Sequence, residues 1–358
     1  MDFGHAMPGF SPIDLASDEL RLQRDAGEEI VSTAESTGQF TRLPADLEGL
    51  LVCPRCKCRL EVTRSECRCT YPGCGATYPV RRQVPVLFNE SASVFSIAGV
   101  LAGADKPFTA PKGTLRRTLS RLGPSLSGNT SSVRNYRTFA RSLLELSPRP
   151  RVLVIGSRVL GSGMQTLAEF PEVQVIESDV ELGPRPAVLF DAHDIPFEDG
   201  SFDGVIAQAV LEHVADPNRA VAEIERVLKP AGIVYAETPF MQQVHEGAYD
   251  FTRFTHLGHR RLFRGFEEID SGVACGPGMA LAWSWQYFLM SFTRRRWTRA
   301  LATATARSTA FFLKYFDRFL AGRPGAYDAA SGLYFIGRRS RHRLNDRQLI
   351  QLYRGAVR

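Results

Sequence analysis

The chain is organised around residues 151–240, which begin RVLVIGSRVLGSGMQ (151–165), continue VQVIESDV (173–180), and end LFDAHDIPFEDGSFDGVIAQAVLEHVADPNRAVAEIERVLKPAGIVYAETPF (189–240). Short apolar runs recur along this stretch at Val152–Ile155, Val173–Ile176, Gly204–Ala207 and Ile233–Ala236. Apolar runs of this length that alternate with helical periodicity are typical of parallel βαβ units. The sequence therefore predicts an α/β domain with a parallel sheet.

A glycine-rich turn follows the first apolar run. Gly156, Gly161 and Gly163 allow the backbone to approach a ligand closely and leave helix N–H groups available for an anion. Asp179 follows the second run, 23 residues after Gly156, where a carboxylate is placed to bind the two hydroxyls of a ribose. These positions predict a nucleoside-binding pocket beyond the carboxyl ends of the strands.

The motifs DAHDIPFEDGSFD (191–203) and LKPAG (228–232) resemble those of class I S-adenosylmethionine-dependent methyltransferases of type 11. The resemblance covers roughly residues 133–274, with Leu333–Arg338 as a last strand. It implies a Rossmann-like, seven-stranded core that binds S-adenosylmethionine. A nicotinamide-dependent dehydrogenase is the alternative for the glycine turn alone, but those folds offer no counterpart to the two motifs.

The resemblance also assigns cofactor-binding roles to individual residues. Those beside the methionine part would be Gly156, Ser157, Gly161 and Gly163, and the ribose would be held by Asp179. Those at the adenine edge would be Asp191, Ala192 and His193, with Gln208 on the sulfonium side. The chain departs from the family where Val154 occupies the position of an acid and where Ser157–Leu160 lengthen the glycine turn.

Candidate acceptor-binding residues follow the fifth strand, in the loop Thr238–Arg261, which interleaves titratable and aromatic side chains. The candidate proton acceptors are His213, His245, Glu246 and Tyr249. The candidate substrate-binding residues are Tyr249, Asp250, Arg253 and His256. Structural roles are the alternatives: His213 would pack beneath the substrate mouth, and Asp250–Arg253 would be a buried ion pair that shapes the loop.

Six of the seven cysteines lie within residues 53–74. Two short pairs separated by twelve residues match a zinc ribbon, because each pair turns two thiolates toward one tetrahedral ion. The predicted ligands of a structural Zn²⁺ are Cys53, Cys56, Cys69 and Cys74. Cys58 and Cys67 remain as rivals, and a disulfide cluster is the alternative to a metal site.

The segment YPVRRQVPVLF (78–88), which closes the cysteine-rich region, resembles the small zinc-ribbon family that activates tRNA and translation-factor methyltransferases as a separate subunit. The third ligand of that family would fall at Tyr71, so that Cys69 must serve through a longer loop. A module of this size is too small to hold itself together by burial, and a bound zinc would fold it.

Composition shifts divide the chain into segments. We predict an N-terminal arm (1–48), a zinc ribbon (49–90), a hinged linker (91–132), a methyltransferase domain (133–340) and a basic C-terminal tail (341–358). A helical insertion (274–330) separates the last two strands of the methyltransferase domain. Within it, the aromatics of residues 281–320 flank three consecutive arginines. They fit core packing or a homodimer interface, which we favour, or a peripheral membrane contact.

The net charge of +6 and the pI near 9.0 permit an acidic substrate, a nucleic acid or an anionic membrane, but select none. The N-terminus has no secretion signal and no run of 18 apolar residues occurs, which predicts a cytoplasmic protein, with the inner face of a membrane as the alternative. The expected activity is methyl transfer to an oxygen of a small molecule, such as a saccharide, a lipid-linked intermediate or a secondary metabolite. The alternatives are an RNA methyltransferase and a non-catalytic zinc-ribbon module that binds RNA or protein.

Overall fold

A computed structural model describes residues 41–104 and 124–356 of the chain. The strands are β1 (Leu60–Val62), β2 (Glu66–Cys69), β3 (Thr77–Arg81), β4 (Val84–Leu87), β5 (Arg151–Ile155), β6 (Gln174–Asp179), β7 (Val188–Phe190), β8 (Phe202–Gln208), β9 (Leu228–Pro239), β10 (Phe266–Cys275) and β11 (Gly332–Arg339). The α-helices are Ala45–Glu48, Ile97–Ala102, Ser132–Leu144, Pro217–Val227, His256–Leu262, Pro277–Ser291, Arg296–Ala310, Asp317–Leu320, Pro324–Ala329 and Asp346–Gln351. The predicted arm falls mostly outside the described residues.

The described strands form one mixed sheet, in the order β1-β2-β3-β4-β7-β6-β5-β8-β9-β11-β10. From β4 to β9 the neighbouring strands run parallel, whereas β11 is antiparallel to both β9 and β10. The chain order reverses at β5, which lies between β6 and β8. Ligands of open α/β sheets bind at such a reversal, beyond the carboxyl ends of the strands. The predicted α/β class is confirmed.

The helix Pro217–Val227 shows why the parallel part of the sheet is covered. The Asp216 side chain accepts hydrogen bonds from the N–H groups of Asn218 and Arg219 and so caps the helix. Pro217, in the first turn, has no N–H group that would need an acceptor. Its buried residues recur at helical spacing: Ala220, Val221, Ile224 and Val227. This apolar face packs onto the sheet, so the helix fixes the segment between β8 and β9.

The cysteine-bearing strands extend the central sheet. Strand β4 pairs in parallel with β7, with Val86 opposite Leu189 and Leu87 opposite Phe190. The sequence predicts a hinged linker after this region, but the described part of that linker packs into the core: Phe95 and Val100 are buried in one cluster with Leu189. Apolar contacts and a shared sheet therefore join the start of the predicted linker to the parallel sheet.

Helices Pro277–Ser291 and Arg296–Ala310 stand between β10 and β11. The buried Asp317 carboxylate accepts the N–H groups of Gly278 and Met279 and so anchors the start of the first helix. Core packing accounts for some of the aromatics of this region, since Trp283 and Phe311 pack against a buried cluster. It does not account for all of them, because Phe288 is 54% exposed and Phe319 is 77% exposed. Among the described helices, none is long and apolar enough to cross a membrane.

Candidate functional site

A cavity opens where the chain order reverses, at the carboxyl ends of β5, β6, β7 and β8. This strand-end cavity is lined by Gly156, Asp179, Asp191, Ala192, His193 and His213, among others. Counted with the open space at its mouth, the cavity has a volume of about 670 Å³. Five of the predicted cofactor residues therefore meet at one cavity, as do two of the predicted proton acceptors, His213 and Tyr249.

Asp179 lies at the end of β6 with 4% of its surface exposed. Its carboxylate accepts three backbone N–H groups, from Arg158 at 2.7 Å, Val180 at 2.8 Å and Glu181 at 3.0 Å. Burial nevertheless raises the pKa of this carboxyl, against the effect of those donors. Asp179 thus holds the glycine turn against β6 while it lines the cavity, and its carboxylate retains acceptor capacity toward a ligand.

Asp191 and His193 form a locked pair at the end of β7. The His193 Nε2 accepts the N–H of Asp216 at 2.9 Å, so its Nδ1 carries the hydrogen and donates to Asp191 Oδ1 at 2.5 Å. Ser93 donates to the other carboxylate oxygen at 2.5 Å. Burial acts to raise the pKa of Asp191, but these hydrogen bonds prevail and lower it. The carboxylate is therefore ionised, and these hydrogen bonds tie the segment after β7 to Ser93 and Asp216.

Three of the predicted cofactor residues are engaged behind the cavity. Gln208 donates to the Ser162 carbonyl at 3.0 Å and to Glu237 Oε2 at 2.8 Å. A Cβ on Gly161 would lie 1.8 Å from Gln208 Oε1, which explains the glycine by a close approach of the amide rather than of a ligand. Gly163, Gly161 and Gln208 are not among the residues that line the cavity.

The cavity wall includes one aromatic side chain, Phe95, that the sequence analysis did not single out. Phe95 stacks on Tyr249, with ring centroids 5.5 Å apart and planes 4° apart, and both rings line the cavity. Tyr249 is predicted to be a proton acceptor and substrate ligand, but its ring belongs to this wall. The sequence signal that could have indicated Phe95 is its position directly before Ser96, whose side chain caps the helix Ile97–Ala102.

A second cavity, the loop cavity, lies between the segment after β9 and the helix Pro277–Ser291, and holds about 970 Å³ counted with its mouth. Asp250 and Arg253 both line it and form a two-pronged ion pair, in which the second contact measures 2.7 Å. Arg253 also donates to the carbonyls of Gln242 and Gln243. Burial acts to raise the pKa of Asp250, but the Arg253 hydrogen bonds hold it at about 2. The pair therefore shapes the loop.

Three side chains meet beside the strand-end cavity, which His213 lines, and next to Asp250, which lines the loop cavity: Glu212, His213 and His245. One ligand-capable atom of each lies within 4.8 Å of those of the others, and we call them the histidine–glutamate cluster. The imidazole rings are 5.0 Å apart in an edge-to-face arrangement. His213 Nδ1 lies 2.9 Å from the Tyr249 carbonyl, and burial lowers the pKa of His213. Sequence analysis did not identify Glu212 as a site residue. Burial raises the pKa of its carboxyl group to about 8.

Two further predicted residues are placed apart from this cluster. His256 is 7% exposed and packs edge-to-face on Tyr327 at 4.9 Å, and it lines neither of the two cavities. The helix His256–Leu262 turns this ring toward the core, and the substrate-binding role of His256 stays a prediction. Glu246 is half-buried, and burial together with Asp250 raises its pKa.

The four predicted zinc ligands are brought together in the structure. We call Cys53, Cys56, Cys69 and Cys74 the cysteine quartet. Their sulfurs all lie within 4.8 Å of one another, with Sγ–Sγ distances of 3.8 Å for Cys53–Cys74 and 3.5 Å for Cys56–Cys69. Cys58 and Cys67 lie outside the quartet. All seven cysteines are free thiols, which does not support the disulfide alternative.

Residues 168–236 match the family described as a methyltransferase domain. The chain is 38% identical over 118 residues to an uncharacterized 37.1 kDa protein in transposon TN4556 of Streptomyces fradiae, which covers 29% of this chain and 34% of that protein. It is 46% identical over 63 residues to a demethylmenaquinone methyltransferase of Clavibacter sepedonicus, covering 17% of this chain and 25% of that one. It thus spans about a third and a quarter of these two relatives.

Another relative is the O-methyltransferase rstn1 of Aspergillus nomiae, 27% identical over 164 residues, which cover 42% of this chain and 69% of that protein. Among solved structures, phosphoethanolamine N-methyltransferase 2 of Haemonchus contortus is similar at a TM-score of 0.35 and 16% identity, covering 65% of this chain and 62% of that one. The matched domain and the relatives support an S-adenosylmethionine-dependent methyltransferase, and they leave the acceptor open.

Proposed function

We propose that the protein transfers a methyl group from S-adenosylmethionine to an oxygen of a small-molecule acceptor. The observation that carries this proposal is the position of His213, which lines the strand-end cavity and lies in the histidine–glutamate cluster beside the loop cavity. The cofactor would occupy the first cavity and the acceptor the second. When bound, the cofactor supplies an electrophilic methyl group on a sulfonium.

The residues of the strand-end cavity fit this cofactor. Gly156 has φ +75°, and a Cβ there would lie 2.6 Å from Val210 Cγ2, so the turn admits only glycine next to the cavity. The adjacent Ser157 hydroxyl is buried and has no partner among the described residues. A buried hydroxyl without a partner is costly, and a polar ligand atom would satisfy it. Asp179 and the backbone at Ala192 would bind the nucleoside.

His213 is the proton acceptor that the geometry favours. Its Nδ1 faces a carbonyl oxygen at 2.9 Å, and a carbonyl only accepts, so Nδ1 carries the hydrogen and Nε2 a lone pair. Since burial lowers its pKa, the ring is neutral and able to take a proton at Nε2. General-base catalysis contributes about 3–5 kcal/mol, whereas alignment of the two reactants contributes about 7–11 kcal/mol. Positioning by the two cavities is therefore the larger effect.

The size and lining of the loop cavity favour a small acceptor. Its walls combine aromatic and polar side chains, with Phe240 and Tyr287 beside Gln243 and Ser284. Tyr287 donates to the Val244 carbonyl at 2.7 Å, and Gln243 donates to Ser284 at 3.0 Å, so the insertion helix forms one wall. A small molecule suits such a mixed wall better than an extended polynucleotide does.

We also propose a structural Zn²⁺ at the cysteine quartet. Four thiolates at about 2.3 Å from a tetrahedral ion lie about 3.8 Å from one another. The two measured Sγ–Sγ distances, 3.8 Å and 3.5 Å, agree with this spacing. Four protein ligands leave no open position, which is the arrangement of a structural site.

Isothermal titration with S-adenosylmethionine tests the methyltransferase proposal. We expect saturable binding, and we expect Asp179→Ala to abolish it because the variant loses a nucleoside ligand and the anchor of the glycine turn. Glu172→Ala is the matched control, since it removes an exposed acid just before β6. Absence of saturable binding at millimolar cofactor would contradict the proposal and favour a non-catalytic module.

A further inference from the structure

Glu212 presents an unusual burial problem. It lies between β8 and the helix Pro217–Val227 with 1% of its surface exposed, and neither carboxylate oxygen has a hydrogen-bond partner among the described residues. Burying an ionised carboxylate without a partner is costly, and a protonated one would still leave its O–H unsatisfied. The described residues therefore provide no hydrogen-bond partner that would offset the burial of this carboxyl group.

Two imidazoles stand at the same place. Glu212 Oε1 lies 3.7 Å from His213 Nε2, and a ring nitrogen of His245 lies within 4.8 Å of both partners' ligand atoms. Ligand atoms bound about 2.1 Å from one divalent ion lie about 3.0–3.4 Å apart. Side-chain rotations that close these distances by about 1 Å would bring all three within bonding distance of one ion.

The opposite sides of both rings are held by oxygen acceptors. His213 Nδ1 faces the Tyr249 carbonyl at 2.9 Å, and His245 Nδ1 lies 3.3 Å from the Gln243 carbonyl and 3.4 Å from Asp250 Oδ2. Metal-binding histidines in proteins are commonly oriented by such carbonyl and carboxylate partners. The nearby positive charge of Arg253 is compensated by Asp250.

We propose that Glu212, His213 and His245 bind one divalent transition-metal cation, of the class of Zn²⁺, Co²⁺ or Fe²⁺. Two imidazoles and one carboxylate suit these ions and leave coordination positions open to a further ligand. The site lies beside the strand-end cavity and next to Asp250, which lines the loop cavity, so the open positions are accessible to an oxygen of the acceptor. This role rests on the proposed function, whereas metal binding itself does not.

Metal binding and proton acceptance exclude each other at His213, because its Nε2 has one lone pair. With the ion bound, the cation rather than His213 would activate the acceptor oxygen. It lowers the pKa of a coordinated acceptor hydroxyl, whose proton then leaves to solvent. The site thus offers two ways to prepare an acceptor oxygen, and metal content selects between them.

The test is a Co²⁺ titration of the full-length, zinc-containing protein without S-adenosylmethionine, followed by calorimetry and visible absorption. We expect one saturable Co²⁺ per chain with visible d–d bands and no thiolate-to-cobalt band. Glu212→Gln and His245→Ala should each weaken binding about tenfold or more. Glu246→Gln is the matched control, because it alters the acid next to His245 outside the cluster.

Three results would overturn the proposal: no saturable binding to natively folded protein, binding accompanied by a thiolate-to-cobalt band, or equal weakening by Glu246→Gln. Circular dichroism checks the fold of each variant. If Glu212→Gln fails to fold, His245→Ala decides, because the His245 side chain is 22% exposed. Titration with S-adenosylmethionine is a separate measurement, so failure of the metal site is distinguishable from failure of the methyltransferase proposal.

Discussion

The cysteine quartet and the histidine–glutamate cluster are both groups of metal-ligand side chains, but they differ in construction. The quartet offers four sulfurs from two short loops of one region, residues 53–74. The cluster offers three atoms of two kinds, from a segment after β8 and a loop after β9. The quartet is closed by its own ligands, whereas the cluster lies beside the strand-end cavity and next to Asp250, which lines the loop cavity.

This difference indicates different roles. Four thiolates complete a tetrahedral shell, so an ion there links strands without meeting a substrate. Three mixed ligands leave positions open and require that the surrounding fold hold them in place first. We therefore expect that loss of a quartet ligand destroys structure, whereas loss of a cluster ligand changes binding and leaves the fold intact.

Cys53→Ser should have the largest effect. Zinc content should fall from one ion per chain to none, because structural sites contribute about 10–16 kcal/mol to the folding of small modules. Hydrogen exchange should then accelerate across β1–β3, and also in β4, which pairs with β7 beside the strand-end cavity. Metal analysis and exchange mass spectrometry measure both effects.

Cys58→Ser is the matched control for this prediction. Cys58 lies within the same turn but outside the quartet, so its variant should retain zinc and normal exchange. Equal zinc loss from the two variants would show that the ligand assignment is wrong.

A buried histidine outside both clusters provides a reference for pH dependence. His259 is 3% exposed and packs against Phe263 and Phe335, and burial lowers its pKa to about 3. A depressed pKa means that stability is complete above the unfolded value of about 6.5 and is lost as the pH falls toward 3. We expect a loss of about 2 kcal/mol at pH 5.

Denaturant unfolding of wild type and His259→Gln across pH 4.5–7.5 measures this contribution. The variant should lack the acid-side slope that the histidine adds. Two parallel curves would contradict the prediction and place the acid sensitivity in other groups.

Much of the fold followed from local patterns. The apolar runs located β5, β6, β8 and β9, and the cysteine spacing selected the quartet, because both signals are carried by neighbours in sequence. The remaining features depend on distant contacts. Glycine and proline content made residues 91–132 a linker, yet Phe95 forms a cavity wall by stacking on Tyr249. No local pattern marked Glu212 as buried, since its environment comes from a loop some forty residues away.

His245→Ala tests the other half of the comparison. The polar contacts of its ring are long: 3.3 Å to the Gln243 carbonyl, 3.4 Å to Asp250 Oδ2 and 3.5 Å to Arg253 Nη2. We therefore expect the free energy of unfolding to fall by less than about 1 kcal/mol. Thermal denaturation beside Cys53→Ser measures the contrast. If both variants lose the same stability, the cluster is structural like the quartet, and the proposed division of roles fails.

The smallest effect is expected at the insertion helices, a third region in which neither cluster takes part. Trp285 is 38% exposed and Phe288 is 54% exposed, near a run of three exposed arginines, Arg294–Arg296. Aromatic side chains beside cations suit a membrane–water boundary, and each arginine adds about 1 kcal/mol near an anionic surface.

We expect partial flotation with anionic vesicles at low salt, lost at high salt and in the double variant Trp285→Glu with Phe288→Glu. Ile350→Glu, at an exposed apolar position on the helix Asp346–Gln351, should float like wild type. If the wild-type protein stays in the soluble fraction and the double variant behaves identically, these aromatics instead serve contact with another protein surface, and gel filtration of the same two proteins would reveal a dimer.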